Sequence, residues 1–458
     1  MALSVWAGSL PAQTAPAQIQ SPDEGSSSSS WSGSSPGQVV QHKTGTNSAE
    51  TVRHTRVPEE GSAPPELAQA EDLIQSQHYD AAEPLLKKAV AAAPASYVAW
   101  FDLGFVENQL GKTDDSIAAY RKSVAAKPDV FESNLNLGLQ LVKTEQPDAE
   151  QFLRAATQLK PTAHPAEGEE RAWLSLGKVL EKSKPDEALQ AYRKASALQP
   201  KDAEPHLAAG AILEKQKNYA DAEKEYKLAV AIDPSADAVT ALANVSMQLR
   251  QFPAAEAALR KLVTLRPDDA AAHLQLGRVL AAEGQNDGAI SEMEAAEKLA
   301  PQDRAGLLDL ADLYETAKKF DKAETAYRTL LAGAPNDAEL HHSLGVSLLE
   351  QKKFPEAQAE FLTAVKLKPD FGAAYGDLAF AAGENKEYPL AIKALEARAK
   401  LLPETPITYF LRASAYDHMK DLKQAAANYR LFLNAAQGKY PDQEWQAKHR
   451  LIAIEPKR

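Results

Sequence analysis

The sequence predicts an all-α solenoid, and two observations support this prediction. First, ten prolines recur with gaps of 33 or 34 residues, except for one gap of 39. Second, each interval holds two apolar runs with the i, i+3, i+4 spacing of a helix face, separated by a short polar break. A period of this length is typical of solenoids, whose units stack only on their neighbours. The prolines are Pro94, Pro128, Pro161, Pro200, Pro234, Pro267, Pro301, Pro335, Pro369 and Pro403.

The interval from Ala270 to Pro301 shows the unit clearly. A polar break at residues 284–287 separates its two apolar runs. Proline has no N–H and restricts the residue before it, so Pro301 ends the second helix. Each interval is therefore predicted to be a helical hairpin. The apolar positions are His273, Leu276, Val279 and Leu280 in the first helix, and Ala289, Met293, Ala296 and Leu299 in the second.

Small and large residues also recur at fixed positions of each unit. The first helix has a small residue at its eighth position, and the second has an early alanine followed four residues later by an aromatic residue. The small residue lets the facing helix approach closely. Examples are Gly104, Gly177, Gly210 and Gly345 for the first helix, and Ala188 with Tyr192, Ala222 with Tyr226, Ala323 with Tyr327 and Ala357 with Phe361 for the second.

One unit carries Trp100, Leu103 and Gly104 in its first helix, and another carries Trp173, Leu176 and Gly177 at the same positions. This pattern resembles the tetratricopeptide repeat, a 34-residue helix–turn–helix unit. The resemblance implies a right-handed α-α superhelix of about 11 repeats over residues 64–440. We expect an insertion loop at residues 162–169 and a capping helix within residues 441–458. The units are predicted to start near Pro64, Tyr97, Phe131, Glu170, Ala203, Asp237, Ala270, Arg304, Ala338, Gly372 and Pro406.

The residues directly after the prolines are suited to cap the first helices, because their short polar side chains accept hydrogen bonds from free backbone N–H groups. This expectation concerns Asp129, Ser235, Asp268, Asn336 and Asp370.

The N-terminal 63 residues differ from the repeats. Residues 18–63 are rich in Ser, Pro and Gln and poor in aliphatic residues, which predicts a disordered tail. Residues 1–17 contain the short apolar run LSVWAGSL followed by small residues, which resembles the end of a secretory signal peptide, although no Lys or Arg precedes it. We expect an exported or periplasmic protein, with a cytoplasmic location as the alternative.

Composition narrows the classes of partner and site. The chain has a net charge of -12 and no basic run, which argues against nucleic acid or anionic lipid as the main partner. It has no cysteine, which removes disulfides and thiolate metal sites. No apolar run approaches the length of a membrane span, so no integral membrane segment is expected.

Motifs that could perform chemistry are weak. Gly111–Lys112–Thr113 resembles the end of a phosphate-binding loop, but Val106 stands where that motif needs glycine. His206, His273 and His341 share the fourth position of different repeats, too far apart to bind one metal ion, so we interpret them as packing residues. We expect no catalytic residues, no cofactor and no metal.

The resemblance implies that positions two, five, nine, twelve and thirteen of each first helix line a concave groove. Apolar residues at these positions predict a strip in the N-terminal repeats, and an exposed strip of this kind usually marks a binding surface. Two alternatives remain: the side chains pack within their own hairpins, or the N-terminal tail covers them. The predicted partner-binding residues are Phe101, Phe105, Asn108, Leu135, Leu139, Lys143, Leu174, Lys178 and Leu207.

These features predict a non-catalytic scaffold or adaptor that binds a protein or peptide in the concave groove. Some co-chaperones of this family hold a carboxylate with Lys at position five and Asn at position nine. Phe101 and Phe105 occupy those positions in the second unit. The alternative function is a regulatory or self-assembling structural subunit of a larger complex.

Overall fold

A computed structural model describes residues 64–455 of the chain. The predicted signal-peptide remnant at residues 1–17 and the predicted disordered tail at residues 18–63 lie outside the described residues, as do residues 456–458.

Regular secondary structure within residues 64–455 is entirely α-helical, in 23 helices. The first twelve are α1 Pro65–Gln75, α2 Tyr79–Ala92, α3 Tyr97–Gln109, α4 Thr113–Ala126, α5 Phe131–Lys143, α6 Ala149–Ala156, α7 Pro165–Leu180, α8 Pro185–Leu198, α9 Glu204–Lys215, α10 Tyr219–Ile232, α11 Ala236–Gln248 and α12 Phe252–Leu265. The others are α13 Ala270–Ala282, α14 Asn286–Leu299, α15 Arg304–Thr316, α16 Phe320–Gly333, α17 Ala338–Glu350, α18 Phe354–Leu367, α19 Gly372–Glu384, α20 Tyr388–Leu401, α21 Pro406–His418, α22 Leu422–Ala436 and α23 Pro441–Ile454.

The helices α1 to α22 form 11 consecutive hairpins, each packed mainly against the hairpins before and after it. Odd-numbered helices are the first helices of the repeats, and even-numbered helices are the second. The predicted all-α solenoid is confirmed, because the apolar stripes of successive hairpins bury one another in hydrophobic clusters, the larger of which each span several repeats.

The small residue of each first helix lies against the large residue of the second helix in the same hairpin. A Cβ atom added at Gly177 would lie 2.5 Å from a ring carbon of Tyr192, and one at Gly345 would lie 2.6 Å from the ring of Phe361. Both aromatic side chains are fully buried. The glycine therefore permits the close helix approach that the sequence predicted, and the aromatic ring fills the space inside its own hairpin.

The fourth residue of several first helices fixes the proline turn that precedes its helix. The Trp100 indole N–H donates to the Pro94 carbonyl at 2.9 Å, and the Asn134 amide donates to the Pro128 carbonyl at 2.8 Å. Different side chains at one position thus make the same contact. The contact satisfies a carbonyl that the interrupted helix leaves free.

The capping prediction is confirmed for Ser235 and wrong for the other four residues. Asp269, not Asp268, caps α13 and accepts from the Ala272 N–H at 3.1 Å. A turn in which the Asp269 N–H donates to the Arg266 carbonyl places the cap two residues after the proline. The remaining caps that differ from the prediction are Val130 instead of Asp129, Asp337 instead of Asn336, and Phe371 instead of Asp370.

The sixth and fourth repeats begin earlier than predicted. Helix α11 starts at Ala236 rather than Asp237, because the turn at Ser235 is one residue shorter than the turn at Asp269. Helix α7 starts at Pro165 rather than Glu170, so part of the predicted insertion loop is helical. Proline is compatible with the first turn of a helix, where its missing N–H costs nothing.

The turn between the two helices of a repeat places one residue in the left-handed region. Glycine occupies this position in two repeats, but Lys or Arg occupies it in six, for example Lys352 with φ of 60°. The next side chain often binds the preceding repeat, as Lys353 does with Glu324 at 2.8 Å. The basic or glycine residues with positive φ at this position are Gly111, Lys217, Arg250, Gly284, Lys318, Lys352, Lys386 and Lys420.

Helix α23 packs on α22 at the C-terminal end of the array, and its role as a capping helix stays a prediction. The Nε–H and Nη2–H groups of Arg450 donate to the two oxygens of the Asp417 carboxylate, each at 2.6 Å. Helix α23 exposes two large apolar side chains to solvent: Trp445 is 61% exposed and Ile452 is 69% exposed.

Candidate functional site

The predicted binding residues lie on four consecutive first helices, as the resemblance implied. They are Phe101, Phe105 and Asn108 on α3, Leu135, Leu139 and Lys143 on α5, Leu174 and Lys178 on α7, and Leu207 on α9.

The apolar members of this set are mostly buried. Phe101, Phe105, Leu135 and Leu174 are buried, whereas Leu139 and Leu207 are half-buried. The apolar strip is therefore largely buried, whereas the sequence predicted an exposed strip. The role of these residues in partner binding stays a prediction.

Second helices account for the burial of the two phenylalanines. The Phe101 ring lies 5.7 Å from the Tyr120 ring of α4, and the Phe105 ring lies 6.1 Å from the Tyr79 ring of α2. The Phe101 contact lies within its own hairpin, as the first alternative for the strip proposes, whereas the Phe105 contact joins the second hairpin to the first. They give the N-terminal repeats a tightly packed aromatic core.

The polar members of the set differ in exposure. Asn108 is half-buried, whereas Lys143 and Lys178 are exposed. The Lys178 amine donates to the Glu204 carboxylate at 2.5 Å, which links the fourth and fifth repeats. The nearby Glu132 carboxylate accepts from both the N–H and the hydroxyl of Thr162 at 2.7 Å. The segment before α7 is thereby held against α5.

Two carboxyl groups of the N-terminal half have strongly raised pKa values. Burial, with a smaller effect of Asp115, raises the pKa of Glu107 to about 7. Burial, together with the negative charges of Asp202 and Glu204, raises the pKa of Glu170 to about 8. Both groups therefore change charge near neutral pH, which ties the packing of these repeats to pH.

A more open surface lies on the first helices of the eighth, ninth and tenth repeats. We call it the C-terminal groove. Leu308 is 38% exposed, and the apolar side chains that follow it on the neighbouring helices are half-buried. The groove comprises Leu308, Asp312 and Glu315 on α15, His342, Val346, Leu349 and Glu350 on α17, and Phe380 and Glu384 on α19.

Contacts between the helices show that the C-terminal groove is continuous. The His342 Nε2 atom lies 2.8 Å from the Asp377 carboxylate, which joins α17 to α19. The His342 ring also packs on Phe371, with ring centres 4.8 Å apart. Beyond the effect of burial, the negative charge of Glu350 on α17 raises the pKa of Glu315 on α15.

Two carboxylates of the C-terminal groove share one hydroxyl group. Tyr327 of α16 donates towards Asp312 at 2.6 Å and towards Glu315 at 3.0 Å. Burial raises the pKa of both carboxyl groups, and the Tyr327 hydroxyl partly offsets the effect. Asp309 raises the pKa of Asp312 further. This arrangement concentrates negative charge in the groove.

The three histidines at the fourth position are held by hydrogen bonds rather than grouped at a metal site. Each Nδ1 atom lies 2.6–2.7 Å from a glutamate of the second helix, the partners being Glu225, Glu292 and Glu360 for His206, His273 and His341. The Nε2 atoms of His273 and His341 lie near the carbonyls of Pro267 and Pro335. Over residues 64–455 no group of three potential metal-ligating side chains is found.

The phosphate-loop-like residues also have structural roles. Gly111 takes a φ of 73° in the turn between α3 and α4, and the Lys112 amine lies 2.7 Å from the Glu83 carboxylate. In the part of the chain that the structure describes, no helix has the length and apolar character needed to span a membrane.

Sequence reasoning did not single out the C-terminal groove. The positions that the resemblance supplies predicted a site in the N-terminal repeats, because the residues at those positions are more apolar there. The exposed fractions of the side chains do not follow this prediction: Leu308 is open to solvent, whereas Phe101 is fully buried. The offsets applied to the eighth repeat would have found Leu308, Asp312 and Glu315, but not their exposure.

Family models described as tetratricopeptide repeat match most of the repeat region. One matches residues 67–131, 178–237, 240–304 and 342–403, which together make up more than half of the chain, and a second matches residues 280–345. No curated protein matches the chain.

Several solved structures resemble the chain at low identity. Pseudomonas aeruginosa PilF is 21% identical, over 47% of this chain and 96% of its own, with a TM-score of 0.37. The APC/C hetero-tetramer Cut9–Hcn1 is 16% identical, over 86% and 97%, with a TM-score of 0.34. Yeast Tom70 is 15% identical, over 85% and 95%, with a TM-score of 0.32. At these TM-scores none of the three carries an argument about function.

Proposed function

Because the chain belongs to the tetratricopeptide repeat family, we propose that it is a non-catalytic scaffold that binds a segment of another protein in its concave groove. Arrays of stacked hairpins suit this role, since they offer an extended surface on a rigid frame. The family supports an interaction scaffold in general, and the proposal adds the groove as the binding surface.

The observation that carries this proposal is the partial exposure of apolar side chains along the C-terminal groove. Leu308, Val346 and Leu349 occupy groove positions on adjacent first helices and are not fully covered by the second helices. Contiguous apolar surface rimmed by polar residues is typical of protein-binding sites. The groove would hold a segment of a partner protein across more than one repeat.

Site-specific photo-cross-linking tests the binding face. A benzophenone amino acid replaces Leu308 in the groove, and in a matched chain it replaces Leu431, which is 47% exposed on the second helix α22. We expect a discrete cross-linked protein band from the Leu308 chain in native lysate, and none from the Leu431 chain. Equal labelling by both chains, or labelling by the Leu431 chain alone, contradicts binding in the groove.

A second candidate, self-assembly through the C-terminal end, is favoured by the outer side of α23. Trp445 and Ile452 are exposed and lie on the same side of this helix, and the Trp445 ring contacts His449. In this proposal two copies cover these side chains. Light scattering over a concentration series should then show a mass that rises with concentration and that Trp445→Ser/Ile452→Ser holds at one chain. A constant mass for the unaltered chain would exclude this candidate.

Export remains part of the proposal for the N-terminal residues. It rests on the resemblance of residues 1–17 to the end of a signal peptide. Cell fractionation followed by N-terminal sequencing checks it. A processed chain in the extracytoplasmic fraction is the expected result, and an unprocessed chain found only in the cytoplasm contradicts it.

A further inference from the structure

We propose that the C-terminal groove binds a segment of a different, basic protein, in which lysine or arginine side chains flank apolar side chains. This inference rests on the proposed function and deepens it, because it names the part of the concave surface that is used and the chemistry of the partner.

Asp312 and Glu315 share the hydroxyl group of Tyr327. In the fourth repeat the Tyr192 hydroxyl donates to one carboxylate, Glu181, at 2.5 Å. In the eighth repeat the single proton of the Tyr327 hydroxyl faces two carboxylates. The eighth repeat therefore carries one carboxylate more than this packing arrangement can satisfy.

The carboxylates of the C-terminal groove lack a basic partner in the described part of the chain. None of the groove carboxylates Asp312, Glu315, Glu350 and Glu384 forms an ion pair with another residue between positions 64 and 455. By contrast, the nearby acids Asp309, Asp377 and Glu324 are each paired with a basic side chain. A partner cation would therefore meet carboxylates that no side chain of the described region neutralises.

Three basic groups on the helices and turns around the groove are already engaged. Arg278 of α13 pairs with Asp309 at 2.6 Å, and His342 lies 2.8 Å from Asp377. The Lys353 amine reaches back to Glu324 on α16. If Arg278, His342 or Lys353 neutralised the groove instead, its present contact would be lost. An external lysine or arginine neutralises it without that loss.

Apolar residues of the C-terminal groove lie on the same helices as its carboxylates. Leu308 precedes Asp312 by one helical turn on α15, and Val346 and Leu349 precede Glu350 on α17. All three apolar side chains are at least partly exposed. A ligand that matches this alternation carries both basic and apolar side chains, so it buries the leucines while it pairs with the acids.

Charge also argues against two other occupants. Residues 1–62 of this chain carry Lys43, Arg53 and Arg56 against five acidic side chains, so this segment is itself negative. A second copy of the chain brings a net charge of -12. The net negative charge of the N-terminal segment and of a second copy does not complement an acidic groove, and this favours a separate basic partner.

The test uses the full-length chain and a phage-displayed library of random 12-residue peptides. We expect the selected peptides to be enriched in Lys or Arg next to aliphatic residues. One selected peptide is then synthesised, and its affinity is measured for the unaltered chain and for Glu315→Gln/Glu350→Gln. Removing the two charges should weaken binding about tenfold and flatten its salt dependence. Glutamine at position 315 can still accept from Tyr327, so the fold is retained, which circular dichroism checks.

The matched control is Glu297→Gln/Glu396→Gln, which removes two exposed carboxylates from the second helices α14 and α20. It should leave the affinity unchanged. An equal loss in the control would show a general charge effect and overturn the inference. A third chain, Arg53→Ser/Arg56→Ser, tests the N-terminal segment: if it binds the selected peptide more tightly than the unaltered chain does, that segment occupies the groove and the separate partner is overturned, whereas equal affinity supports the inference.

Two further outcomes separate this inference from the proposed function. Selected peptides without basic residues, or peptides whose affinity is unchanged in Glu315→Gln/Glu350→Gln, overturn the inference, while peptide binding by the scaffold stands. Failure to select any peptide, together with an absent cross-link at Leu308, overturns both.

Discussion

The raised pKa of Glu170 leads to a prediction that the substitution Glu170→Gln stabilises the protein in alkaline solution. Glu170 is buried in α7, the first helix of the fourth repeat, and its Oε1 atom has no hydrogen-bond partner within residues 64–455. Burial and the negative charges of Asp202 and Glu204 raise its pKa to about 8. A neutral glutamine keeps the size of the side chain and removes the cost of the buried charge.

The sign follows from proton binding in the two states. Unfolded Glu170 loses its proton near pH 4.5, whereas folded Glu170 keeps it up to about pH 8. The folded state therefore binds more protons in this window, and its stability falls as the pH rises. At about 1.4 kcal/mol for each pH unit, full ionisation costs on the order of 5 kcal/mol. Movement of the side chain towards water reduces this, so we expect Glu170→Gln to stabilise by about 2 kcal/mol or more at pH 8.5 and by little at pH 5.

Urea unfolding followed by circular dichroism measures this effect at pH 5 and pH 8.5. The control is Glu167→Gln, which removes an exposed carboxylate from the first turn of the same helix. It should give nearly the same difference from the unaltered chain at both pH values. If Glu170→Gln also gives the same difference at both pH values, the reasoning from the buried charge is refuted. A destabilised Glu170→Gln at pH 8.5 would refute it as well.

Three further predictions concern turns, caps and the C-terminal helix. Lys352→Gly should stabilise by about 1 kcal/mol, because a left-handed residue with a Cβ atom is strained; a lower urea midpoint would contradict this. Asp337→Ala should destabilise by about 1 kcal/mol and Asn336→Ala by less than about 0.5 kcal/mol, since only Asp337 caps α17; equal midpoints would place the cap elsewhere. Arg450→Ala should cost about 1–2 kcal/mol and speed hydrogen exchange in α23. Arg450 lowers the pKa of Asp417, so this contribution should be present above pH 3.8 and vanish in stronger acid, and an effect that persists there would argue against the ion pair.

Local residue patterns predicted the hairpins well because each repeat position has a short-range physical cause. Glycine at position 177 predicts the close approach of Tyr192, and a proline predicts the end of a second helix. The cap positions were harder to predict. Asp268 and Asp269 are chemically equivalent, and only the turn that closes on the Arg266 carbonyl selects Asp269.

The sequence by itself determined the repeat, the helix pairs and the residues at equivalent positions of each first helix, because small, apolar and aromatic residues recur in a periodic order. Only the tertiary structure decided which of those residues are open. Phe101 and Leu308 hold the same position of their repeats, yet the aromatic rings of neighbouring helices bury the first, while the second stays 38% exposed beside unpaired carboxylates. Exposure depends on contacts between residues far apart in the chain, which a local pattern does not contain.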